Sequence, residues 1–298
     1  MTLQQRLADA RAQLRAAGLP GDEAAVDVDL FACTILGWDR ARLIVEASSE
    51  IPSSLEPRFS EWITRCARHE PASYIVGVRE FWGLEFAVSP AVLIPRPETE
   101  FIVEEALALI AGREPSSSPN AVPGAPTLRI ADIGTGSGCI AVSIAHSAPH
   151  VHVVATDISS VAVDVARQNA ERHGVAGRME FFVTSYLDGI TGDFDVIATN
   201  PPYVRELDRG GIGLNVRHEP EVALYGGDNG LLHIDGVLGT AAQKLRPHGS
   251  LVMEIGLGQE DDVHALVSRR PSLVVRKVRN DLQGIARTFI IERQGHRP

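Results

Sequence analysis

The chain has 298 residues, of which 44% are hydrophobic and 22% are charged, and its formal net charge is −10. This composition is typical of a soluble globular protein with one large domain or two ordinary ones. Proteins that bind mainly to a nucleic-acid backbone usually carry a basic surface, so the charge argues against DNA or RNA as the principal partner. The sequence shows no apolar run that could cross a bilayer and no secretory signal, so we expect no membrane partner.

The three cysteines, Cys33, Cys66 and Cys139, are widely separated, and no pair has the spacing of a zinc site. Their odd number and separation favour a reducing environment. We therefore expect a cytoplasmic protein whose thiols stay reduced.

Apolar residues recur at helical spacing through roughly the first seventy positions. Residues 22–36 predict a helix that stops at Gly37. Behind a cap at Ser53 or Ser54, another helix is predicted by the apolar series Leu55, Phe59, Trp62, Ile63 and Cys66. We interpret residues 1–74 as a small helical bundle, with docking of a substrate as the functional alternative.

The hydrophobic period changes after this bundle. Short β-type runs punctuated by Gly77 and Gly83 predict one or two hairpins within residues 75–94, which would join the bundle to the rest of the chain. Residues 98–110 then predict a helix. Residues 112–127 are rich in Pro, Ser, Gly and Ala and predict a flexible surface loop or linker.

From residue 128 onwards, short apolar strands alternate with helices, one of them predicted over residues 236–249. Such alternation predicts right-handed crossovers and a parallel sheet covered by helices on both faces. The last two strands are predicted to meet in a hairpin at Gly284, which would leave the final strand antiparallel. Residues 95–298 therefore read as an α/β domain.

The first strand of this domain ends at Asp132 and a glycine-rich turn. Gly134, Gly136 and Gly138 alternate, which permits a tight strand-to-helix turn and lets a ligand lie against bare backbone. The spacing is not that of the dinucleotide fingerprint, and no Lys-Ser/Thr follows, so neither a nicotinamide cofactor nor a triphosphate loop is favoured. Asp157 closes the second strand 19 residues beyond Gly138, where a carboxylate can bind both hydroxyls of a ribose.

The fourth strand ends in Asn200, Pro201, Pro202 and Tyr203. Proline lacks an N–H, so this turn presents carbonyl acceptors with no competing donors. It suits a planar –NH2 group, with one N–H bonded to the Asn200 oxygen, the other to the Pro201 carbonyl, and Tyr203 stacked on the plane. The alternative is a rigid strand-ending turn whose tyrosine belongs to the core.

The glycine loop, the ribose acid and the Asn-Pro-Pro-Tyr turn together resemble S-adenosylmethionine-dependent methyltransferases of the Rossmann-like class. This resemblance implies an α/β fold with a seven-stranded sheet whose last strand is antiparallel. The small N-terminal helical bundle would be joined to that sheet by the β-hairpin.

A more specific resemblance is to the bacterial peptide chain release factor glutamine N5-methyltransferases. It rests on the segments EPASYIVGVREFWGLEF, VLIPRPETE, ADIGTGSGCIA, TNPPYV, HEPEVALYGGDNGL and NDLQGIAR, and it covers residues from about 70 to 290. It implies S-adenosyl-L-methionine as the cofactor. It also implies that the methyl acceptor is the side-chain amide nitrogen of the glutamine in the Gly-Gly-Gln motif of class I release factors, in translation termination.

The same resemblance assigns the site residues. Cofactor binding falls to Gly134, Thr135, Gly136, Ser137, Gly138, Asp157, Tyr186 and Asn200. Substrate binding falls to Asn200, Pro201, Pro202 and Tyr203, of which Asn200, Pro201 and Tyr203 are also the candidate catalytic residues. Tyr186 matches an aromatic residue that closes the third strand against the adenine, whereas Ser185 stands where relatives commonly have an acid.

The roles of other charged residues stay open. Arg96 and Glu98 either line the mouth of the pocket or form a structural ion pair. Glu254 ends another strand and is a candidate support for the site. His218, Glu219 and Glu221 prompt the hypothesis of a metal site, but their spacing does not support it.

Three other functions compete with the favoured one. A ribosomal-protein glutamine methyltransferase would perform the same chemistry on a different protein. An N6-adenine methyltransferase acting on nucleic acid would also use an Asn-Pro-Pro-Tyr turn, but the net charge of −10 argues against it. A non-catalytic cofactor-binding module is disfavoured because the turn at Asn200 is intact.

Overall fold

The computed structural model describes residues 1–113 and 128–295. The surface loop predicted at 112–127 therefore lies almost wholly outside the described residues. None of the helices in these two described ranges is both long enough and apolar enough to cross a membrane.

The chain forms two compact units. The first comprises Met1–Val78 and Gly213–His218, and the second comprises Arg79–Ile212 and Glu219–Pro298. The first unit thus extends four residues beyond the predicted end at residue 74, and it includes a short segment from the second half of the chain.

The first unit is helical, as predicted. Its helices are α1 (Leu3–Ala16), α2 (Gly21–Leu36), α3 (Arg40–Val45), α4 (Arg58–Cys66) and α5 (Ala72–Val76). Their apolar faces meet in one core, where Phe31 and Trp62 pack edge to face with ring centroids 5.5 Å apart. Gly37 ends α2 with a φ of 63°, a left-handed conformation that glycine adopts without the steric cost of a Cβ.

The predicted serine cap of α4 is wrong. The helix begins at Arg58, directly after Pro57, and no side chain caps it. A residue before proline is disfavoured from the helical region, so Glu56 cannot lie inside the helix and the start moves past the proline. Leu55 remains fully buried, but it packs from the turn ahead of the helix.

The segment before the hairpin is also helical rather than β-type. Pro71 precedes α5 and Gly77 follows it with a φ of 84°, so this single turn begins behind a proline and ends at a glycine. Tyr74 and Ile75 are buried from within it. The β-type run predicted from residue 75 is therefore wrong at its start, because packing in the helical unit overrides the β preference of Ile75.

The second unit contains a two-stranded and a seven-stranded sheet. The hairpin consists of β1 (Val78–Phe81) and β2 (Leu84–Ala87). The strands of the large sheet are β3 (Leu128–Ile133), β4 (Val151–Asp157), β5 (Met179–Val183), β6 (Phe194–Thr199), β7 (Leu245–Glu254), β8 (Leu273–Asn280) and β9 (Ala286–Arg293). The helices are α6 (Glu100–Ala111), α7 (Cys139–Ser147), α8 (Ser160–Arg172), α9 (Leu232–Lys244) and α10 (Glu260–Ser268).

The order across the large sheet is β5-β4-β3-β6-β7-β9-β8. Neighbouring strands from β5 to β7 are parallel, whereas β9 is antiparallel to both β7 and β8. The predicted Rossmann-like sheet with an antiparallel last strand is confirmed. Because β3, β4, β6 and β7 run in one direction, the segments that follow them meet at one edge of the sheet.

The helix predicted over residues 236–249 is wrong at both ends. It spans Leu232–Lys244, and the chain becomes strand β7 at Leu245. Pro247 explains the early end, since a proline inside a helix removes a hydrogen bond and clashes with the preceding turn. The pairing of β7 with β6 is accordingly irregular between Leu245 and Ser250.

The hairpin is part of the core of the second unit rather than a linker alone. Phe81 and Phe86 are buried against α6, α7 and β3, and their rings pack edge to face at 6.0 Å. Asn169, which is fully buried on α8, accepts a hydrogen bond from the Ala87 N–H (2.8 Å) and donates one to the Ala87 carbonyl (3.0 Å).

This packing makes the hairpin a contributor to stability. We expect Phe86→Ala to lower the free energy of unfolding by about 3–5 kcal/mol, because it removes a fully buried ring and leaves a cavity. Urea unfolding followed by far-UV circular dichroism measures the change. Val183→Ala, at an exposed position of β5, is the control and should change it by less than about 0.5 kcal/mol. Equal effects of the two variants would contradict the assignment of Phe86 to the core.

Candidate active site

A cavity opens at the edge of the sheet where β3, β4 and β6 end. It holds about 900 Å³ of empty space, counted to its open mouth. Its wall brings together most of the predicted site residues: Gly134, Gly136, Asp157, Tyr186, Asn200, Pro201 and Pro202. The other predicted residues, Thr135, Ser137, Gly138 and Tyr203, lie behind that wall.

The glycine loop has the backbone that only glycine adopts readily. Gly134, Gly136 and Gly138 have φ values of 70°, 54° and 80°. No atom lies within 4 Å of where a Cβ would stand at Gly134 or Gly136, so that space is open to a ligand. At Gly138 the same position is 3.1 Å from Ala166 on α8, so this glycine serves close packing instead.

Asp132 supports the loop from beneath. Its carboxylate is fully buried, and Oδ2 accepts hydrogen bonds from the Thr135 hydroxyl (2.7 Å) and the Ala141 N–H (3.2 Å). Oδ1 has no partner. Burial raises the pKa of Asp132 to about 7. The Thr135 hydroxyl and the Thr135 N–H, which donates to the Thr156 carbonyl at 2.9 Å, are thus both used within the protein, and the predicted contact of Thr135 with the cofactor stays a prediction.

Asp157 ties the end of β4 to the glycine loop. Its Oδ2 accepts the Gly136 N–H (3.0 Å) and its Oδ1 accepts the Ser159 N–H (2.9 Å). Each oxygen keeps a second lone pair, so the carboxylate can still accept the two hydroxyls of a ribose. The open space at the glycines and this acceptor pair both fit a nucleoside cofactor.

Tyr186 and His233 form a second wall of the cavity. The tyrosine hydroxyl lies 3.3 Å from His233 Nδ1, and burial lowers the pKa of His233, which favours the neutral imidazole. Tyr186 has a φ of 48°, unusual for a residue with a Cβ. A Cβ at position 236 would lie 2.2 Å from its hydroxyl, so Gly236 makes room for the ring. Sequence reasoning found Tyr186 but missed His233.

Asn200 is held by a chain of side-chain hydrogen bonds. Its Nδ2 donates to Thr99 Oγ1 (3.0 Å), and the Thr99 hydroxyl donates to Glu254 Oε2 (2.7 Å). The Tyr203 hydroxyl donates to Glu254 Oε1 (3.1 Å). Among the residues described, none donates a hydrogen bond to Asn200 Oδ1. The amide nitrogen is thus used within the protein, while the residue lines the cavity with its oxygen available.

Tyr203 lies behind this wall, and its ring packs against the core on that side of the sheet. Burial first, and then the neighbouring Glu254 carboxylate, raise the pKa of Tyr203, so the phenol stays protonated. The position agrees with the core alternative for this residue, and stacking on a substrate stays a prediction. Glu254 is confirmed by its hydrogen bonds as a buried support of the turn.

A glycine-rich segment backs the Asn-Pro-Pro-Tyr turn. A Cβ at Gly226 would lie 2.6 Å from the Pro202 carbonyl oxygen, and one at Gly230 would lie 2.3 Å from the Tyr203 carbonyl oxygen. Gln259 Nε2 donates to that same Tyr203 oxygen at 3.2 Å. The GGDNG sequence therefore allows two backbone segments to touch, a role that its pattern alone did not reveal.

Three of the charged residues left open by the sequence, Arg96, Glu219 and Glu221, form ion pairs. Arg96 forms an ion pair with Glu219, not with Glu98, and Glu219 Oε2 also accepts the Ile94 N–H at 3.1 Å. Glu221 pairs with Arg209. Within the described ranges, no group of three or more His, Cys, Asp or Glu residues is placed to hold a metal ion.

The raised pKa of the buried Asp132 predicts that the stability of the protein depends on pH. Because its pKa in the folded state, about 7, lies above the unfolded value, the folded state binds the proton more tightly. Its contribution to stability is therefore full below about pH 4 and is lost as the pH rises through about 7. The difference in unfolding free energy between the wild type and Asp132→Asn should fall by an amount on the order of 4 kcal/mol across that range. Urea titrations of both proteins measure it, and a flat difference would contradict the raised pKa.

Family models match most of the first unit and part of the second. Residues 5–77 match the family model described as the PrmC N-terminal domain, and residues 120–218 match the methyltransferase small domain. Two solved structures share the fold. A methyltransferase from Pyrococcus furiosus aligns with a TM-score of 0.50 and 19% identity, over 72% of this chain and 90% of that one. The hMettl16 catalytic domain, solved in complex with the MAT2A 3'UTR hairpin 6, aligns at 0.55 and 15%, over 80% and 82%.

Similarity to curated relatives extends over nearly the whole chain. A release factor glutamine methyltransferase from Bradyrhizobium diazoefficiens is 38% identical, over 93% of this chain and 90% of the relative. The protein of the same name from Nitratidesulfovibrio vulgaris is 39% identical, over 98% and 95%. Identity at this level across both units shows that the chain belongs to the release factor glutamine methyltransferase family.

Proposed function

We propose that this protein transfers a methyl group from S-adenosylmethionine to the side-chain amide nitrogen of the glutamine in the Gly-Gly-Gln motif of class I release factors. The observation that carries the proposal is the Asn200 amide, whose nitrogen is bound to Thr99 and whose oxygen is left for a donor in the cavity. A carboxamide –NH2 is such a donor.

The cofactor is expected along the wall formed by the ends of β3, β4 and β5. Gly134 and Gly136 leave open space beside their backbone, Asp157 offers acceptors for a ribose, and Tyr186 with His233 borders the remaining side. When bound, S-adenosylmethionine supplies an electrophilic methyl group on a positively charged sulfur. The glycine loop, the ribose acid and Tyr186 serve to orient it.

The contribution of the turn is to hold the acceptor nitrogen. An amide nitrogen is a weak nucleophile because its lone pair is delocalised, so orientation and hydrogen bonding must supply much of the rate. Asn200 Oδ1 accepts one N–H of the substrate, and the Pro201 carbonyl accepts the other. Both residues line the cavity that the glycine loop also lines. The two acceptors fix the plane of the substrate amide and draw electron density towards its nitrogen.

Charge and family support a protein substrate. The net charge of −10 is unfavourable for binding a polyanion, and the curated relatives carry release factor in their name. A ribosomal protein remains the alternative substrate with the same chemistry. That no nucleic acid is involved, and that the protein is cytoplasmic, stay predictions.

A substrate panel tests the proposal directly. Transfer of tritium from labelled S-adenosylmethionine is measured with purified class I release factor, ribosomal proteins and duplex DNA, each at the same concentration. We expect incorporation into the release factor alone, and mass spectrometry should place one methyl group on the glutamine of Gly-Gly-Gln. A release factor whose glutamine is replaced by alanine is the matched control. Preferential labelling of a ribosomal protein or of DNA would replace the proposal by the corresponding alternative.

The role of Asn200 has its own test. We expect Asn200→Ala to reduce kcat at least about 100-fold, because an acceptor that orients the reacting nitrogen is lost. The dissociation constant for S-adenosylmethionine, measured by calorimetry, should change by less than about threefold. Asp157→Ala should give the opposite pattern, with weaker cofactor binding dominating. A near-normal kcat in Asn200→Ala would remove this residue from the reaction.

A further inference from the structure

The geometry points to Thr99 as a positioning residue that, together with Glu254, decides which end of the Asn200 amide faces the cavity. The inference rests on the proposed function, in which Asn200 Oδ1 accepts a substrate N–H. It assigns a task to a threonine hydroxyl that does not line the cavity and contacts its wall only through Asn200.

The direction of the hydrogen bonds follows from their last acceptor. Both Glu254 oxygens accept from hydroxyls, Oε2 from Thr99 and Oε1 from Tyr203. The Thr99 hydroxyl has one hydrogen, which it donates in the hydrogen bond to Glu254. Only lone pairs then remain on Thr99 Oγ1, so the atom of Asn200 that faces it must be a donor, which is Nδ2.

The reversed amide would have no such partner. With Oδ1 towards Thr99, two acceptors would face each other in a buried place, and the –NH2 group would point at the cavity. A donor there would confront the –NH2 of a substrate carboxamide instead of accepting from it. The hydroxyl therefore selects between two orientations of Asn200 that have the same shape but opposite hydrogen-bonding character.

Burial makes this selection strong. Thr99 is 3% exposed and Glu254 is 2% exposed, so water does not offer either an easy substitute partner. Burial raises the pKa of Glu254, and the hydrogen bonds from Thr99 and Tyr203 act against that rise. The two hydroxyls thus oppose the rise in pKa, and the hydrogen bond to Glu254 Oε2 fixes the direction of the Thr99 hydroxyl.

The backbone brings Asn200, Glu254 and Thr99 together. Strands β6 and β7 are parallel neighbours with Thr199 opposite Met253, so the next residues, Asn200 and Glu254, lie side by side at the edge of the sheet. Thr99 lies at the start of α6, where a threonine commonly caps the helix with its side chain. Here it has helical dihedrals and makes no capping bond, which leaves its hydroxyl for Glu254 and Asn200.

The inference is tested with three variants in the same tritium-transfer assay. Thr99→Val keeps the shape and removes the hydroxyl, Thr99→Ser keeps the hydroxyl, and Asn200→Ala removes the group being oriented. We expect Thr99→Val to lower kcat roughly 10- to 100-fold and Thr99→Ser to stay within about threefold of wild type. The dissociation constant for S-adenosylmethionine should change by less than about twofold in both threonine variants.

The outcomes separate this inference from the proposed function. A wild-type kcat in Thr99→Val, with Asn200→Ala inactive, would overturn the role of Thr99 and leave that of Asn200 intact. Equal losses in the valine and serine variants, or a loss of cofactor affinity that matches the loss of rate, would show that packing and not the hydroxyl matters. Activity in Asn200→Ala would remove the proposed function itself. Melting temperatures verify folding, and Thr99→Ala replaces Thr99→Val if the latter does not fold.

Discussion

The buried carboxyl group of Glu254 is the constraint on which the proposed substrate side of the site depends. An acidic group removed from water is costly unless hydrogen bonds replace its hydration, and here two hydroxyls provide them. Those hydroxyls come from Thr99 at the start of α6 and from Tyr203 after β6, while Glu254 itself ends β7. One acidic group therefore links three separate segments of the chain, and the Asn200 amide is oriented as a consequence.

The cofactor side follows the same principle with a different buried acid. Asp132 lies beneath the glycine loop and holds it through Thr135 and the Ala141 N–H, while Asp157 braces it from the next strand. Both acids stand at the ends of neighbouring parallel strands, as Asn200 and Glu254 do. The two halves of the reaction can meet because parallel strands deliver their carboxyl ends to one edge of the sheet.

The hairpin shows how a connecting element can become part of a catalytic domain. Its phenylalanines fill the core beside α6 and α7, and Asn169 joins its backbone to that of the glycine loop by donating to the Ser137 carbonyl as well as to that of Ala87. The loop that shapes the cofactor wall is therefore supported from three directions: Asp132 below, Asp157 beside and Asn169 behind. The hairpin that the sequence predicted as a connection thus also supports the glycine loop.

The sequence by itself determined the alternation of strands and helices, the antiparallel last strand, the glycine loop and the Asn-Pro-Pro-Tyr turn. These features depend on local chemistry: hydrophobic period, the conformational freedom of glycine and the missing N–H of proline. Helix ends were predicted less well where a proline near the end, as at Pro57 and Pro247, outweighed the apolar pattern. The nearby serines and leucines carried no signal of that effect.

Only the tertiary structure decided which side chains face the cavity and which stand behind it. Thr99 and Glu254 are 155 residues apart, and Arg96 and Glu219 are 123 apart, so no local pattern could pair them. Tyr203 and Thr135 belong to site motifs yet turn into the protein, because buried carboxylates there need donors. The residue types at the site come from short sequence motifs. The orientation of their side chains depends on hydrogen bonds that form only when distant strands lie side by side.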